Sequence, residues 1–488
     1  MPQADISFAN KQATGEQVLA GAPGVAVNVV VDQTGAIRRR PGIEAAPGFY
    51  SGVIDATGLS GLYQTVTGAL YAIGNTPGFR NIYRVTGVAT QLGVPFSDTT
   101  LAGTLRPTFA ETQLLLAMAG GDRMQKIVLS SDTTSRLGGD PPYASHVVAN
   151  SSRLIANIAD VTYSNTFDKN VVRYSDIANG NASYAGMEIW TEGGGNDAGH
   201  YSAEANPDSV LAIAQNTNEV FNFGVSSLQV FDPDPTSVFA PAVTRELGCG
   251  AAYSVVKENQ QFFWFDNLRR FVTSDARSED IISGPMQQTF DELDTVSDCY
   301  GYRVVMGPVD ALVWTFPSDG RTFAFQKGSG WAEWQGWANG NWAPFPVTCQ
   351  QISPTNHDNL VGDSSGRIGR LSLNATTDYG VPINARVETG YLARGTDARK
   401  HCKCVRLALR RGATTANTGP VAYLSYRDQP GPWGSAIPVD LGAQGDTEIV
   451  VELRSLGVYR RRQWRFEFSG TEALELVSVT EEYDVLSS

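Results

Sequence analysis

The stretch VVMGPVDALVWTFPSDGRTFAFQKGSGWAEWQGW, residues 304–337, holds the grammar of most of the chain. An apolar run breaks at a Gly or Asp turn, resumes as an aromatic-rich run, and breaks again at a polar turn. Two-residue alternation bounded by Gly, Asn and Asp marks short β-strands joined by tight turns. The same order recurs at residues 61–93, 112–129, 146–176, 210–231, 253–273 and 349–372. The units start roughly every forty to fifty residues, which is the spacing of a propeller blade of three or four strands. One such sheet cannot bury its faces alone, whereas sheets packed around an axis can. Seven units are therefore expected. The strand region 25–39 has no unit of its own and is expected to pair with the last blade and close the ring, which removes an open edge.

After residue 378 the pattern changes to longer strands with cleaner alternation, such as VAYLSYR (421–427), QWRFEF (463–468) and LELVSVTEEYDV (474–485). About a hundred residues of this kind predict an antiparallel sandwich. The expected organisation is all-β. An N-terminal arm (1–24) precedes a β-propeller of about seven blades (25–382), which carries a Gly-rich insertion around 177–208. A C-terminal antiparallel β-sandwich (383–488) follows. Helical periodicity is scarce, and PMQQTFDEL (285–293) is the best candidate.

The 50 glycines and 24 prolines lie between apolar runs, so they read as turns rather than disorder. The net charge of −13 is uneven. Residues 383–488 hold fourteen Lys/Arg against thirteen Asp/Glu, which leaves −14 on the first 382. An acidic body does not hold nucleic acid by counterion release, but it lets nucleic acid slide past. The start MPQADISFANKQ lacks a basic n-region and an apolar h-region, and no run approaches the ~20 apolar residues of a membrane span. A soluble protein made in the cytosol is expected. The five cysteines are an odd number, and HCKC (401–404) sets two thiols on one face of a strand with too few neighbours for a four-ligand zinc site. They are expected to be buried and inert.

Catalytic fingerprints are missing. There is no GxGxxG between strand and helix, no P-loop, no HExxH and no GxSxG. No catalytic, cofactor-binding or metal-binding residue is assigned, and no enzyme activity is expected. SDGRTF (318–323) resembles the Asp-box turn of sialidase-like propellers but lacks one spacer residue on each side of its Asp; it reads as a hairpin turn. The acids of DPDP (232–235) and DELD (291–294) read as solvated loops rather than cation sites. Two constellations are retained as candidates. Arg38, Arg39, Arg40, Arg460, Arg461 and Arg462 are basic runs in an acidic chain, suited to DNA phosphate or a neighbouring subunit. Trp331, Trp334, Trp337 and Trp342 suit a subunit contact or packing between blades, with a sugar platform as the alternative.

Four passages resemble the packaged-DNA stabilisation or tail-hub ("nozzle") proteins of short-tailed bacteriophages. They are NVVVDQTGAIRRRPG (28–42), RELGCGAAYSVVKENQQFFWF (245–265), LVWTFPSDGRTFAFQKGSGWAEW (312–334), and GDSSGRIGRLSLNATTDYG (362–380) leading to LGVYRRRQWRFEFS (456–469). The likeness runs from about residue 25 onward. It departs from the family pattern at Phe325-Gln326, where that pattern has Tyr-Asp, and at residues 177–201, which have no counterpart. The resemblance implies a structural virion protein of the tail, assembled in the host cytoplasm. Such a subunit forms a homo-oligomeric ring, usually a hexamer, below the portal and its adaptor. It extends the DNA channel, contacts double-stranded DNA transiently during ejection, helps retain the packaged genome, and docks a fibre or spike. The alternative is a glycan-binding or glycan-cleaving propeller that acts as a receptor-binding tail component.

Overall fold

The computed structural model describes residues 3–5, 25–75, 79–97, 105–121, 123–159, 167–177, 183–203, 208–234, 238–411, 421–429, 431–442, 446–470 and 473–486. Most of the predicted arm, residues 6–24, lies outside these. Gln3–Asp5 adds a short strand against the C-terminal strand Leu474–Val485.

Seven antiparallel sheets follow one another along the chain. Blade one runs from Leu59–Gln64 to Ala89–Ser97, blade two from Thr108–Glu111 to Thr133–Arg136, and blade three from Val147–Asn150 to Gly199–Ser202. Blade four runs from Val210–Asn216 to Val238–Arg245, blade five from Val256–Glu258 to Glu279–Ile281, and blade six from Tyr300–Met306 to Gly330–Ala338. Blade seven takes three strands from Val347–Ile352 to Ile368–Ser372, and its fourth, Gly42–Ala45, from the other end of the chain. Each neighbouring pair of blades shares an apolar core, and the pair formed by blades seven and one is no exception. Leu59, Leu62 and Leu70 of blade one pack there on Cys349, Leu360 and Ile368 of blade seven. The ring is closed, and the fold is a seven-bladed β-propeller.

A second body follows. Lys400–Arg411, Leu474–Val485 and Glu448–Arg454 build one sheet, and Ala385–Glu388, Val421–Asp428 and Arg462–Ser469 build the other. Val405, Leu407, Leu409, Leu424, Trp464 and Phe466 fill the space between them, so this is an antiparallel β-sandwich.

Two expectations change. First, the region 25–39 does not close the ring. Ala26–Val27 joins one sheet of the sandwich and lies parallel to the outer strand of blade six, while Val29–Val31 and Ile37–Arg39 join the other sheet. The reason is apolar demand: Val29 and Ile37 complete the sandwich core. Closure falls instead to Gly42–Ala45. Second, the insertion is part of the body. Its Met187 and Trp190 are buried between blades two and three, and its Gly199–Ser202 is the outer strand of blade three. The short helix expected within 285–293 is present as Gln287–Asp291, after a 3-10 turn at Gly284–Met286, and plants Phe290 in the core between blades five and six. Among the described residues, no helix is long and apolar enough to cross a membrane.

The same turn recurs in blades five and seven. Asp266 and Asp363 each end a second strand and are 1% exposed. Each carboxylate accepts the backbone N–H two and four residues on, and each pairs with the Arg side chain at the fourth (Arg270 and Arg367). The buried charge is thereby satisfied within five residues, which pins the hairpin without tertiary help. The turn at residues 318–320 joins Val309–Phe316 to Arg321–Gln326, as its sequence implies. Its Asp319 accepts the N–H groups of Asp294 and Thr295 at 2.9 and 3.1 Å.

Candidate functional site

Asn28 is the pivot between propeller and sandwich. It sits at φ 56°, a conformation that asparagine tolerates better than most residues, and there the chain steps from one sandwich sheet to the other. Its buried side chain accepts from the Gln335 N–H at 2.7 Å and from Arg40 Nε at 2.9 Å, and donates to the Asn384 carbonyl at 2.9 Å. Arg40, 1% exposed, completes the node. Its guanidinium grips Asp378 at 3.0 and 2.5 Å, donates to the carbonyls of Pro41 and Gln335 at 2.9 Å, and lies 4.5 Å over Phe345. One side chain therefore ties the N-terminal segment 28–41, blade six, the start of blade seven and the link into the sandwich.

The basic runs do not form one exposed surface. Arg39 is buried, donates to the Gly470 carbonyl, and is pushed down to about 10 by burial. Arg462, 1% exposed, makes a two-bond ion pair with Asp428 at 2.7 and 2.9 Å and is surrounded by Tyr426, Tyr459 and Trp464. Arg38 is partly exposed and pairs with Glu475 at 3.6 Å. Arg461 pairs with Asp397 at 2.9 Å, and Arg460 donates to the Asp397 carbonyl at 2.7 Å. Alternation in short strands turns every second side chain inward, so consecutive arginines cannot share a face.

The tryptophans divide in the same way. Trp331 and Trp334 are buried in the propeller, Trp331 donating to the Ile282 carbonyl at 2.8 Å. Trp337 and Trp342 are half-buried and meet edge to face at 5.2 Å, and Arg386 of the sandwich lies 5.5 Å over Trp342. All five cysteines are free and buried. Burial pushes Cys249 up to about 12 and Cys349 up to about 11, and raises Cys402, so thiolate is scarce near neutrality. Among the described residues, no three His, Cys, Asp or Glu side chains are placed to hold a metal ion.

Side chains from links and blades across the ring meet one another. Arg106, in the link between blades one and two, lies 3.4 Å over the ring of Tyr300 in blade six. His146, in the link between blades two and three, stacks at 4.8 Å on Tyr253, which precedes blade five and bridges to Tyr300. Nothing in the periodicity distinguished Arg106 or His146, because both sit in links rather than strands. Burial holds His146 neutral, with its pKa lowered to about 4. A base depressed in the folded state binds fewer protons there than in the unfolded chain, so stability falls as pH drops from 6.5 toward 4. The loss attributable to this residue approaches roughly 3 kcal/mol at the acid end. His146→Gln is expected to lack it, and urea unfolding of both proteins at steps between pH 6.5 and 5 is the check. Parallel slopes would remove His146 from the account.

A cleft of about 910 Å³ opens between blades five and six. Phe263, Ile281, Phe325 and Trp331 supply its apolar wall, and Glu279, Asp280 and Lys327 its charges.

No protein-family model matches the chain, and no curated protein matches it. Among solved structures it is similar to the Neurospora crassa Pan2 WD40 domain, at 9% identity over 67% of this chain and 96% of that one, with a TM-score of 0.38. It is also similar to a streptogramin B lyase structure, at 8% identity over 67% of this chain and 99% of that one, with a TM-score of 0.41.

Proposed function

We propose that this chain is a structural subunit of the tail hub, or nozzle, of a short-tailed bacteriophage, working as a homo-oligomeric ring that extends the DNA channel. The observation that carries the reading is the junction built by the first of the resembling passages. Residues 28–42 weave the sandwich and the propeller together through Asn28 and Arg40 and then close the last blade. A subunit that must hold shape under a passing genome needs such a rigid coupling. The axis is a further support. Arg106 and Tyr300 meet near it, so in this reading the DNA channel is formed between subunits of a ring rather than through one propeller. The acidic balance of residues 1–382 suits a wall that DNA crosses without sticking.

The test is native mass spectrometry and negative-stain imaging of the purified chain. A ring is expected, with a mass near six times 52.5 kDa. Monomers alone at high micromolar concentration would sink the proposal. The second reading, a glycan-active propeller, draws on the cleft beside Trp331, where aromatic rings lie near Glu279 and Asp280. Binding on a glycan array that is lost in Asp280→Ala would favour it, and a blank array with no glycosidase turnover would remove it.

A further inference from the structure

We propose that the strand Glu448–Arg454 is a self-complementary edge that pairs antiparallel with the same strand of a second copy of this chain. The strand ends its sheet. It pairs on one side with Lys400–Arg411, from Arg410 opposite Glu448 to Cys404 opposite Arg454, and among the described residues no strand lies on its other side. Its side chains alternate. Ile449, Val451 and Leu453 are half-buried against the sandwich core, while Glu448, Val450, Glu452 and Arg454 lie on the outer face. Val450 is 72% exposed.

The outer face carries rows of alternating charge. Arg38 is opposite Glu475, Glu475 opposite Arg410, and Arg410 opposite Glu448, so the row ends on a carboxylate at the open edge. The ion pairs along it measure 3.6 Å for Arg38–Glu475 and 3.1 Å for Arg410–Glu475. A cation placed opposite Glu448 by an incoming strand would continue the alternation. Register decides which strand supplies it. In an antiparallel pair, directly opposite residues share a face, and like charges opposite each other destabilise. A pair centred on Val450 sets Glu448 against Glu452 of the second copy, and one centred on Glu452 sets Glu452 against itself. Only the register centred on Val451 sets Glu448 against Arg454 at both ends. It also sets Ile449 against Leu453 and Val451 against Val451, which extends the apolar core across the contact. Arg454, whose side chain is 75% exposed and pairs with Glu452 of its own strand at 2.9 Å, is placed to reach across.

The contact is two-fold and closes at two copies, so it does not itself build a ring and does not rest on the tail-hub reading. The test is a charge swap read by analytical ultracentrifugation of the full chain, with circular dichroism melts showing that each variant folds. Wild type is expected to contain an even number of copies. Arg454→Glu or Glu448→Arg alone places like charges opposite each other and halves the mass, weakening association by roughly tenfold or more. The double variant E448R/R454E restores the wild-type mass. An odd or monomeric wild type, a single variant that keeps the wild-type mass, or a folded double variant that stays dissociated overturns the proposal. A ring unaltered by R454E overturns this edge and leaves the ring reading; a wild-type dimer that R454E splits does the reverse.

Discussion

Replacing Arg40 with Ala is expected to lower the stability of the whole chain by about 3–5 kcal/mol, the cost of breaking a buried ion pair from one side. The side chain is fully buried, and its partner Asp378 is 11% exposed, so water cannot take over the lost contacts. Truncation leaves the Asp378 carboxylate without its cation, the Gln335 and Pro41 carbonyls without a donor, and Asn28 Oδ1 with one donor fewer. Asp378→Asn keeps the shape and three of the Arg40 acceptors but leaves the fully buried guanidinium without its counter-ion, so it is expected to recover only part of that cost. The two substitutions separate charge from packing. The node ties two cores, so Arg40→Ala should also broaden or split the unfolding transition as sandwich and propeller lose their coupling. Differential scanning calorimetry reads both effects. An unmoved midpoint with a single sharp transition would mean that the strands alone join the two bodies.

Blade rhythm was legible because each blade is written locally. A strand, a Gly/Asp turn and an aromatic strand, as in residues 309–326, need no distant information to be read, and Asp266 and Asp363 show how a turn is satisfied within five residues. What was not legible is non-local. VAVNVVV looks like a better closing strand than GIEA, yet the sandwich core claims the first because it lacks Val29 and Ile37 without it. The signal was Asn28, a residue that favours turns and αL set inside an apolar run, where it marks a change of sheet. The arginine runs misled for a related reason. Charge is visible in sequence, but the partners that bury it, Asp378 for Arg40 and Asp428 for Arg462, lie far along the chain. The cleft and the contacts of Arg106 and His146 follow from how blades five and six, and the links between blades, meet around the ring. Neither has a local signature.

Closure of the ring gives the second large effect. Gly42 begins the closing strand and pairs with Ser372, and its N–H donates to the Ala375 carbonyl at 3.2 Å. A Cβ there would stand 2.5 Å from the Thr377 carbonyl oxygen and 2.6 Å from that of Ala375. Both are backbone atoms in the link leaving blade seven, so no side-chain rotation relieves the clash. Gly42→Ala must push the link away or withdraw the strand, at a cost of about 3 kcal/mol, the upper part of the range for overpacking. The effect should be local first. Amides of Ile368–Ser372 that bond the closing strand should exchange faster, while those of blades two to four keep their protection, because local opening precedes global unfolding. Hydrogen exchange with mass spectrometry measures both sets in one experiment. Equal acceleration in all blades would mean that the ring opens as a single unit, and no acceleration would mean that the link yields without disturbing closure. Of these outcomes, the local one is expected, because blade seven is the only blade whose fourth strand comes from the far end of the chain, while blades one to six are each a single continuous segment.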